Sequence, residues 1–397
     1  MKHAFYFRFY KMIHNEFICC FLAQLAYFLY CCLYFFKKLR LHKKNVNMTF
    51  EQAHNLIDSV YQKPDKKIEY INSPIDDKLD LSVVIPVYNY AEILEQNIKS
   101  ILNQKTDFKY EVIFVDDGST DGAKEILKKY ENEPKVKVIY QQNGGIGTAR
   151  NAGINAACGK YLMFIDCDDT VHSDIIQTLM ERAVKDNCDI VMAAHNLDKE
   201  KNGTVYEVIP NVYPQKNLMR YKYGNEIMNY AGLPWAKVYK RELWNKVRFF
   251  PGYWYEDTII QMLIYPQCKT FEYIPKIVYE YKWYEKNFSH VQGNSKSYKA
   301  IDIYGLMSEI IKHYNEINLQ QNKAFYIDLL RHFSCFYYPT IRSFDDDIIT
   351  AMFLLAKEYV DEYRPSGKVK MPFMLRQVEK AFESGNIELW KLSSCYQ

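Results

Sequence analysis

The sequence contains no two cysteines separated by just two residues, although it has ten cysteines among 397 residues. It therefore lacks the ligand spacing of a structural zinc site. Four of the cysteines lie in one apolar segment, and the others are scattered as reduced core thiols would be. This pattern predicts that the globular part of the chain is cytosolic.

The chain also lacks a strong net charge. The formal net charge is +3, which is too small to indicate nucleic acid as a partner. With 48% hydrophobic and 25% charged residues, the composition is that of an ordinary globular protein, so a sizeable core can form. The length suffices for two compact domains, or for one large domain with additions.

Charge is missing altogether from residues 17–36, FICCFLAQLAYFLYCCLYFF. A helix of that length measures ~30 Å, about the thickness of a bilayer's hydrocarbon core. The basic run KKLRLHKK follows at residues 37–44 and indicates that the C-terminal side faces the cytoplasm. A signal peptide would have a shorter apolar region and an A-x-A-like cleavage site. We therefore predict membrane association, through a single span or through a helix lying in the interface, unless translation starts at Met48.

Four regions are predicted along the chain. Residues 1–47 would be the membrane segment with its basic flank, and residues 48–80 a linker, because residues 61–80 are polar and contain two prolines. The main globular domain would extend over residues 81–295 and a helical region over residues 296–397. No catalytic motif is visible in that last region, which we interpret as a packing or acceptor-side subdomain.

Two stretches of the C-terminal region carry clear helix signals. The stretch DDDIITAMFLLAKEYVDEY begins with the acids Asp345–Asp347 and continues with an apolar stripe at helical spacing. The stretch PFMLRQVEKAFESG is bounded in the same way by Pro372 and Gly385. Both predict helices.

Short apolar runs alternate with amphipathic stretches from residue 81 onward. The runs LSVVIPV, EVIFV, VKVIY and KYLMFI are typical of buried strands, and the stretches between them have apolar residues at helical spacing. Strands separated by helices predict the α/β class, with a mostly parallel sheet that is flanked by helices. In open sheets of this kind, ligands bind at the carboxyl ends of the strands.

Polar side chains follow these strand ends. They are Tyr88 and Asn89 after the first strand, Asp116 and Asp117 after the second, and Asp166, Asp168 and Asp169 after the fourth. Side chains two positions apart on an extended segment share a face, so Asp166 and Asp168 converge while Cys167 points away. Mg²⁺ or Mn²⁺ is usually held by one or two carboxylates, waters and substrate phosphates, and would offset the repulsion between these acids. The stretch DDGSTD alone would favour a solvated turn, whereas the two acidic strand ends together favour a functional site.

Taken in order, these stretches resemble family 2 glycosyltransferases, which are inverting enzymes with the GT-A fold. The matching pieces are SVVIPVYN, VIFVDDGSTDG, NGGIGTARNAG, GKYLMFIDCDD, PWAKVYKRELW and YEDTII. Each piece is weak by itself, and the resemblance rests on their order and spacing over residues 81–260. It implies transfer of a sugar from a nucleotide sugar, a UDP-sugar being favoured, to a hydroxyl of a glycan or a lipid-linked acceptor.

The resemblance also implies roles at the donor. The residues concerned are Pro86, Tyr88, Asp116, Asp117, Arg150, Asn151 and Asp166. Pro86 and Tyr88 would line the nucleotide base, Tyr88 by stacking, and Asp117 would bind the base with Asp116 beside it. Asp166 and Asp168 would form the D-x-D element that bridges the ribose and the metal-bound diphosphate.

The resemblance implies Asp257 as the catalytic base, with Glu256 next to it. Inverting transfer is a single displacement in which the attacking hydroxyl loses a proton to a nearby carboxylate. A divalent metal stabilises the charge that the leaving nucleoside diphosphate gains. Asp257 also precedes a predicted helix, whose dipole an acid complements, and the two roles are compatible.

The acceptor side is predicted around residues 235–244, WAKVYKRELW, which we expect to form a helix over the cleft. Trp235 would either stack on a sugar or pack in the core. Lys237 and Glu256 are further candidates for contact with the acceptor. In the stretch YEYKWYEKNFSH, Lys282 stands where the family usually has Arg, so the role of that stretch stays open.

The stretch GGIGTARNAG permits an alternative function. It resembles a phosphate-cradling glycine loop and the signature of sugar-nucleotide pyrophosphorylases. However, Arg150 stands where a third glycine belongs, and the loop follows the third strand rather than the first. A nucleotidyltransferase is therefore one alternative, and a catalytically degenerate, membrane-tethered scaffold is another.

Overall fold

The structure of the protein is a computed structural model, and it describes residues 16–41, 46–201, 204–211, 219–220, 232–283 and 297–395. The chain divides into two compact units. The sheet unit is Lys63–Gln320, and the helical unit combines Met1–Gln62 with Gln321–Gln397.

The strands of the sheet unit are β1 (Leu81–Val87), β2 (Tyr110–Asp116), β3 (Val136–Tyr140), β4 (Tyr161–Phe164), β5 (Thr170–Val171), β6 (Ile190–Lys201), β7 (Thr204–Asn211), β8 (Met219–Arg220), β9 (Lys237–Lys240) and β10 (Thr270–Trp283). Among the described residues of both units, the helices are α1 (Glu16–Leu39), α2 (Phe50–Val60), α3 (Ala91–Leu102), α4 (Ala123–Lys128), α5 (Ile146–Ala156), α6 (Ile175–Lys185), α7 (Asp302–Glu316), α8 (Lys323–Arg331), α9 (Tyr337–Ile341), α10 (Asp346–Glu362), α11 (Phe373–Ser384) and α12 (Ile387–Ser394). Short 3-10 or π turns lie at Arg241–Trp244, Ile260–Ile264, Tyr265–Gln267, Tyr298–Ile301 and His332–Phe336.

The strands form one sheet in the order β3-β2-β1-β4-β9-β6-β10-β5, with β7 paired to β6 and β8 to β10. The first four strands pair in parallel, because a helix connects each of them to the next. Between β1 and β4 the order reverses, since the chain runs outward from β1 to β3 and then returns to the other side of β1. This reversal is where an open α/β sheet forms its ligand crevice.

The rest of the sheet corrects the expectation of a mostly parallel arrangement. Strand β6 pairs in parallel with β10, but β9 runs against both of its neighbours, β4 and β6. Strand β7 begins three residues after β6 ends, which leaves no room for a crossover helix, and the pair is antiparallel. The sheet is therefore mixed.

The predicted helix at residues 235–244 is wrong, since this stretch forms β9 and then a 3-10 turn. Ala236, Val238 and Tyr239 are all fully buried. Because β9 lies between two strands and is covered on both faces, its side chains do not alternate between apolar and polar. That loss of alternation made a buried strand look like a helix in the sequence.

Pro86 sits near the end of a central strand, where a missing N–H group would normally break the ladder. Pairing between β1 and β4 ends at Val84 and Phe164. Val84 O accepts a hydrogen bond from Ile165 N–H. Backbone groups two residues apart on a strand face the same side, so the Pro86 nitrogen faces the side of β4 at a level beyond the end of that strand. The proline therefore costs the sheet no hydrogen bond on that side, and it stops the ladder at the crevice.

Residues 63–80 carry no helix or strand, yet they are tied closely to the sheet unit. The Ser73 hydroxyl donates to Asn155 O at 2.6 Å, and the Arg248 guanidinium donates to Ile71 O at 2.8 Å. The Lys66 ammonium donates to Gly144 O at 3.1 Å. This part of the predicted linker therefore follows the surface of the sheet unit.

The helical unit contains both helices that the C-terminal sequence predicts. They are α10, preceded by Asp345, and α11, which starts after Pro372. Gly385 ends α11 with φ 61°, in the left-handed region where glycine is the favoured residue.

The predicted membrane span at residues 17–36 is not supported. These residues lie in α1, and no described helix is both long and apolar enough to cross a membrane. One side of α1 packs instead within the helical unit. There Tyr34 is fully buried, and its hydroxyl lies 2.9 Å from the Ser393 hydroxyl.

The packing of α5 on β1 depends on Gly153 and gives a first prediction. A Cβ at this position would lie 2.2 Å from Val84 Cγ1. We expect Gly153→Ala to lower the free energy of unfolding by about 1–3 kcal/mol, because the core must be pushed apart. Urea unfolding measures this change. Gly232→Ala is the matched control, since its Cβ would meet only the flexible Gln261 side chain, at 3.2 Å. Equal stability of the two variants would contradict the packing argument.

Candidate active site

The loops that follow β1 and β2 hold each other in place. The Asn89 N–H group donates to the Ser119 hydroxyl at 3.1 Å, and the Asn89 side-chain oxygen accepts from Thr120 N–H at 2.8 Å. Asn89 has φ 58°, a conformation that asparagine tolerates better than most residues. Tyr88 is therefore fixed at the carboxyl end of β1, with 44% of its surface exposed.

Asp116 and Asp117, at the end of β2, are both buried. Asp117 Oδ1 accepts from the Gln141 side chain at 2.7 Å and from Gly144 N–H at 2.9 Å, while Oδ2 accepts from Gly145 N–H at 2.8 Å. The glycine loop at the start of α5 thus binds a carboxylate of the chain itself. Both Asp117 oxygens are engaged in shaping this loop.

Arg150 lies at the centre of the site and is almost completely buried. Its guanidinium donates to Asp166 Oδ1 and to Glu256 Oε1, each at 2.7 Å, and lies 5.2 Å from the centre of the Phe249 ring. Burial acts to lower the pKa of Arg150, but the two carboxylates outweigh it and hold that pKa above its usual value. Arg150 therefore joins the end of β4 to the turn that carries Glu256 and Asp257.

Asn151, expected near the donor, has a structural partner in the same region. Its side chain donates to Phe249 O at 2.7 Å and accepts from Phe249 N–H at 2.9 Å. This pair of bonds fixes the backbone beneath Arg150. Nothing in the sequence pattern distinguished such a bridge from a ligand contact.

The three acids after β4 divide into two kinds. Asp166 and Asp168 are partly exposed and Cys167 between them is buried, but residues 166–169 form a turn, in which Asp169 N–H donates to Asp166 O at 3.1 Å, and not the predicted extended segment. Asp169 is buried and accepts from the Tyr279 hydroxyl at 2.6 Å and from Lys282 N–H at 2.9 Å. Asp169 is thus a structural acid, held by β10. The sequence alone did not single out Tyr279, because it lies far along the chain in an alternating strand.

The remaining acids suit a divalent cation that is completed by substrate. Among the described residues, no group of three or more His, Cys, Asp or Glu side chains is placed to hold a metal ion. Asp166 has one oxygen paired with Arg150, and Asp168 is partly exposed two residues further along the same turn. Mg²⁺ needs only one or two carboxylates when substrate phosphates and water supply its other ligands, and the donor set fits that chemistry.

Glu256 and Asp257 follow a strained residue. Tyr255 has φ 63°, which is costly for a bulky side chain and recurs at functional sites. A helical turn starts directly afterwards, with Ile260 N–H donating to Asp257 O at 2.9 Å. Loss of solvent around the Asp257 carboxyl group, followed by repulsion from Glu256, raises the pKa of Asp257 to about 7, although Arg150 opposes the shift. A carboxyl group with a pKa near neutrality suits a general base.

The candidates on the acceptor side lie deeper than expected. Trp235 is 3% exposed and stacks on the rings of Tyr279 and Tyr281, at centroid distances of 4.7 and 5.2 Å. Of its two possible roles, the structure therefore shows packing in the core. Lys237 is buried, and its ammonium donates to Leu233 O at 2.6 Å. Burial lowers the pKa of Lys237 to about 7, against the opposing charge of Asp257.

Comparison with known proteins places the chain in a family. Residues 82–243 match the sequence model of glycosyl transferase family 2. The uncharacterized glycosyltransferase YibD of Escherichia coli is 30% identical over 249 residues, which are 59% of this chain and 72% of that protein. The chain belongs to glycosyl transferase family 2.

Two further relatives differ in length and in what their names state. Glycosyltransferase GlyA of Streptococcus pneumoniae is 30% identical over 57% of this chain, but the match spans only 34% of that protein. The GalNAc(5)-diNAcBac-PP-undecaprenol beta-1,3-glucosyltransferase of Campylobacter jejuni is 28% identical over 62% of this chain and 77% of its own length.

The fold has a close counterpart among solved structures. The crystal structure of S. aureus TarS 1-349 in complex with UDP-GlcNAc superposes with a TM-score of 0.62, at 22% identity, over 80% of this chain and 91% of that chain. At this identity the likeness concerns the fold, and it confirms the α/β glycosyltransferase fold that the sequence pattern predicts.

The buried contact of Tyr279 with Asp169 generates a second prediction. Tyr279→Phe removes the donor to Asp169 Oδ2 and the acceptor of Asp166 N–H, so buried polar groups lose partners. We expect the free energy of unfolding to fall by about 1–3 kcal/mol. Chemical unfolding followed by circular dichroism tests this. Tyr88→Phe is the control on an exposed ring, and a loss no larger than that of the control would show that the hydroxyl does not support the acidic turn.

Proposed function

We propose that the protein is an inverting glycosyltransferase that moves a sugar from a nucleotide-sugar donor to a hydroxyl of a glycan or lipid-linked acceptor, with Mg²⁺ or Mn²⁺. The observation that best supports this proposal is the double ion pair of Arg150. One guanidinium holds Asp166, from the acidic strand end, and Glu256, the neighbour of Asp257. A carboxylate suited to a metal-bound diphosphate and a carboxylate suited to proton transfer are thereby kept within the reach of one side chain.

The donor site is proposed at the reversal between β1 and β4. The exposed Tyr88 ring offers a surface on which a nucleotide base can stack, and Asp116 and Asp117 shape the loops beside it. A UDP-sugar is the donor we favour, because the S. aureus protein with the same fold was crystallised with UDP-GlcNAc.

Asp166 and Asp168 would hold the cation. When bound, Mg²⁺ or Mn²⁺ supplies a positive charge that stabilises the leaving nucleoside diphosphate. Arg150 holds one oxygen of Asp166 at 2.7 Å, and its guanidinium is buried, so the orientation of Asp166 is fixed from the protein side. Asp169 is bonded to Tyr279 and Lys282 of β10, so the cation would be held by Asp166 and Asp168 without it.

Asp257 is proposed as the base. The acceptor oxygen forms a bond to the anomeric carbon as the bond from that carbon to the diphosphate oxygen breaks, and the hydroxyl proton moves to the Asp257 carboxylate. Glu256 is paired with Arg150, whereas Asp257 has a raised pKa and keeps part of its surface exposed. The two adjacent acids therefore have different tasks.

A lipid-linked acceptor is supported by the Campylobacter jejuni relative, whose name describes transfer to an undecaprenyl-diphosphate-linked glycan.

A cytoplasmic catalytic part is supported by Cys167, Cys188 and Cys268, which are buried free thiols. The nucleotidyltransferase alternative is not favoured, because Gly144 and Gly145 direct their N–H groups to Asp117 rather than to a phosphate site.

Asp168→Asn tests the cation site. The substitution keeps the shape of the side chain but removes its charge, so we expect Mn²⁺-dependent turnover and the Mn²⁺-dependent part of donor affinity to be lost, with the melting temperature unchanged. Calorimetric titration with a panel of UDP-sugars, with and without Mn²⁺, measures this. Asp77→Asn, at an exposed position of the sheet unit, is the control. Mn²⁺-dependent turnover in Asp168→Asn would disprove the assignment.

Asp257→Asn tests the base. We expect the rate to drop at least ~10²-fold, with donor affinity nearly unchanged, because the amide cannot accept the proton. In the wild type, only the deprotonated form of Asp257 is active, so kcat/KM should rise as the pH increases through about 7. That limb of the pH profile should be absent from the variant. If donor affinity collapses while the saturated rate persists, Asp257 is a binding residue and Glu256 becomes the candidate base.

A further inference from the structure

Helix α1 has a continuous apolar face that is exposed. Nine large side chains on it are between 43 and 66% exposed: Ile18, Phe21, Leu25, Phe28, Leu29, Leu33, Phe35, Phe36 and Leu39. Most of them are related by steps of three or four residues, and together they cover about half of the helix circumference over a length of about 32 Å. Gln24 is the polar exposed residue within this band.

The opposite side of α1 is fixed within the helical unit. The fully buried Tyr34 packs edge-on against Phe373, with ring centroids 6.0 Å apart, and bonds to Ser393. The Lys38 ammonium donates to the Gln377 side chain at 2.5 Å, and the Tyr30 hydroxyl donates to Cys395 O at 3.4 Å. Because these contacts set the rotation of α1, its apolar face is held outward.

A contiguous exposed band of nine large apolar side chains is normally covered by a binding partner. Monomeric soluble proteins rarely expose contiguous apolar patches larger than a few hundred Å². The nine side chains include four phenylalanines, and no charged residue interrupts the band between Ile18 and Phe36.

Positive charge lies at the end of the band. Lys37 and Arg40 are exposed there, and they open the basic run of residues 37–44. Lys380 of α11 is close enough to Lys38 to help lower its pKa, after the larger effect of burial. An apolar face next to clustered cations is complementary to a bilayer whose headgroups are anionic.

The breadth of the band favours a lipid surface over a second copy of the chain. A two-stranded coiled coil needs a narrow apolar seam flanked by charged positions. Here Ile18, Phe21, Leu25 and Phe28 could form such a seam, but the flanking positions Leu29 and Phe36 are exposed and apolar as well.

We propose that α1 binds in the plane of a membrane surface that contains anionic lipids, with its exposed face among the outer acyl chains. The buried side of the helix keeps its contacts with α11 and α12. This inference stands on α1 alone and does not depend on the sugar-transfer reaction.

Vesicle co-sedimentation of the full-length chain tests the proposal. We expect binding to vesicles of phosphatidylcholine with phosphatidylglycerol, and weaker binding to phosphatidylcholine alone. Phe28→Glu should lower the partition coefficient about 10-fold or more, because an apolar ring is no longer buried. Val184→Glu places the same charge at an exposed apolar position of α6 and should bind as the wild type does. The double variant with Lys37→Gln and Arg40→Gln should lose the preference for anionic vesicles.

Two outcomes overturn the proposal. Failure of the wild type to bind the mixed vesicles would do so, as would a Phe28→Glu variant that binds as strongly as Val184→Glu. Sedimentation velocity without lipid tests the competing arrangement, a dimer of the chain through this face. If the wild type is a dimer, Phe28→Glu makes it a monomer and vesicle binding does not change, the face is an interface between copies. Circular dichroism confirms that each variant is folded, and Leu33→Gln replaces Phe28→Glu if the latter is not.

Discussion

The buried guanidinium of Arg150 is the group on which the site depends. A cation that is nearly excluded from water is stable only if its charge is matched, and here Asp166 and Glu256 match it at 2.7 Å each. Removing one member of such a set leaves an uncompensated buried charge, which typically costs ~3–5 kcal/mol. The arginine thereby fixes the end of β4 relative to the turn that contains Glu256. Glu256 lies 106 residues after Arg150 in the sequence. The Asn151 side chain completes the same arrangement with two hydrogen bonds to the Phe249 backbone, so this joint is built from α5 on one side and residues 249–256 on the other.

The glycine-rich stretch has a role that follows from close approach. Gly144 and Gly145 give their N–H groups to Asp117, and Gly153 lets α5 lie directly on Val84 of β1. A phosphate-binding loop and this loop look alike in sequence, because both need glycines before a helix. What separates them is the partner of the N–H groups, and a carboxylate from the neighbouring strand takes the place that a phosphate would have.

The sequence predicts the first four strands and their helices well, because each strand is a short apolar run with a helix between it and the next. It fails at β9, where burial on both faces removes the alternation that marks a strand, and at Asp169, whose partner Tyr279 is 110 residues distant. An extended chain would expose Asp166 and Asp168 and bury Cys167, and this burial pattern is present, but residues 166–169 form a turn in which Asp169 N–H donates to Asp166 O at 3.1 Å, so the period of a strand is not its cause. Tertiary contacts such as the Arg150 bridge could not be, since no local pattern records which distant acid a buried arginine meets.

Helix α1 shows why hydropathy alone gave two interpretations of residues 17–36. A count of uncharged residues sums over every face of the helix, and the buried Tyr34 and Ala23 contribute to it as much as the exposed Phe28 does. A span must be apolar all round, whereas α1 has tyrosines on its packed side and places large apolar groups on the other. The Tyr30 hydroxyl donates to Cys395 O, just after α12, and the Tyr34 hydroxyl bonds to the Ser393 hydroxyl in α12. These bonds hold the tyrosine side of α1 against the rest of the helical unit. The same twenty residues therefore encode two surfaces, one that packs within the helical unit and one that stays exposed.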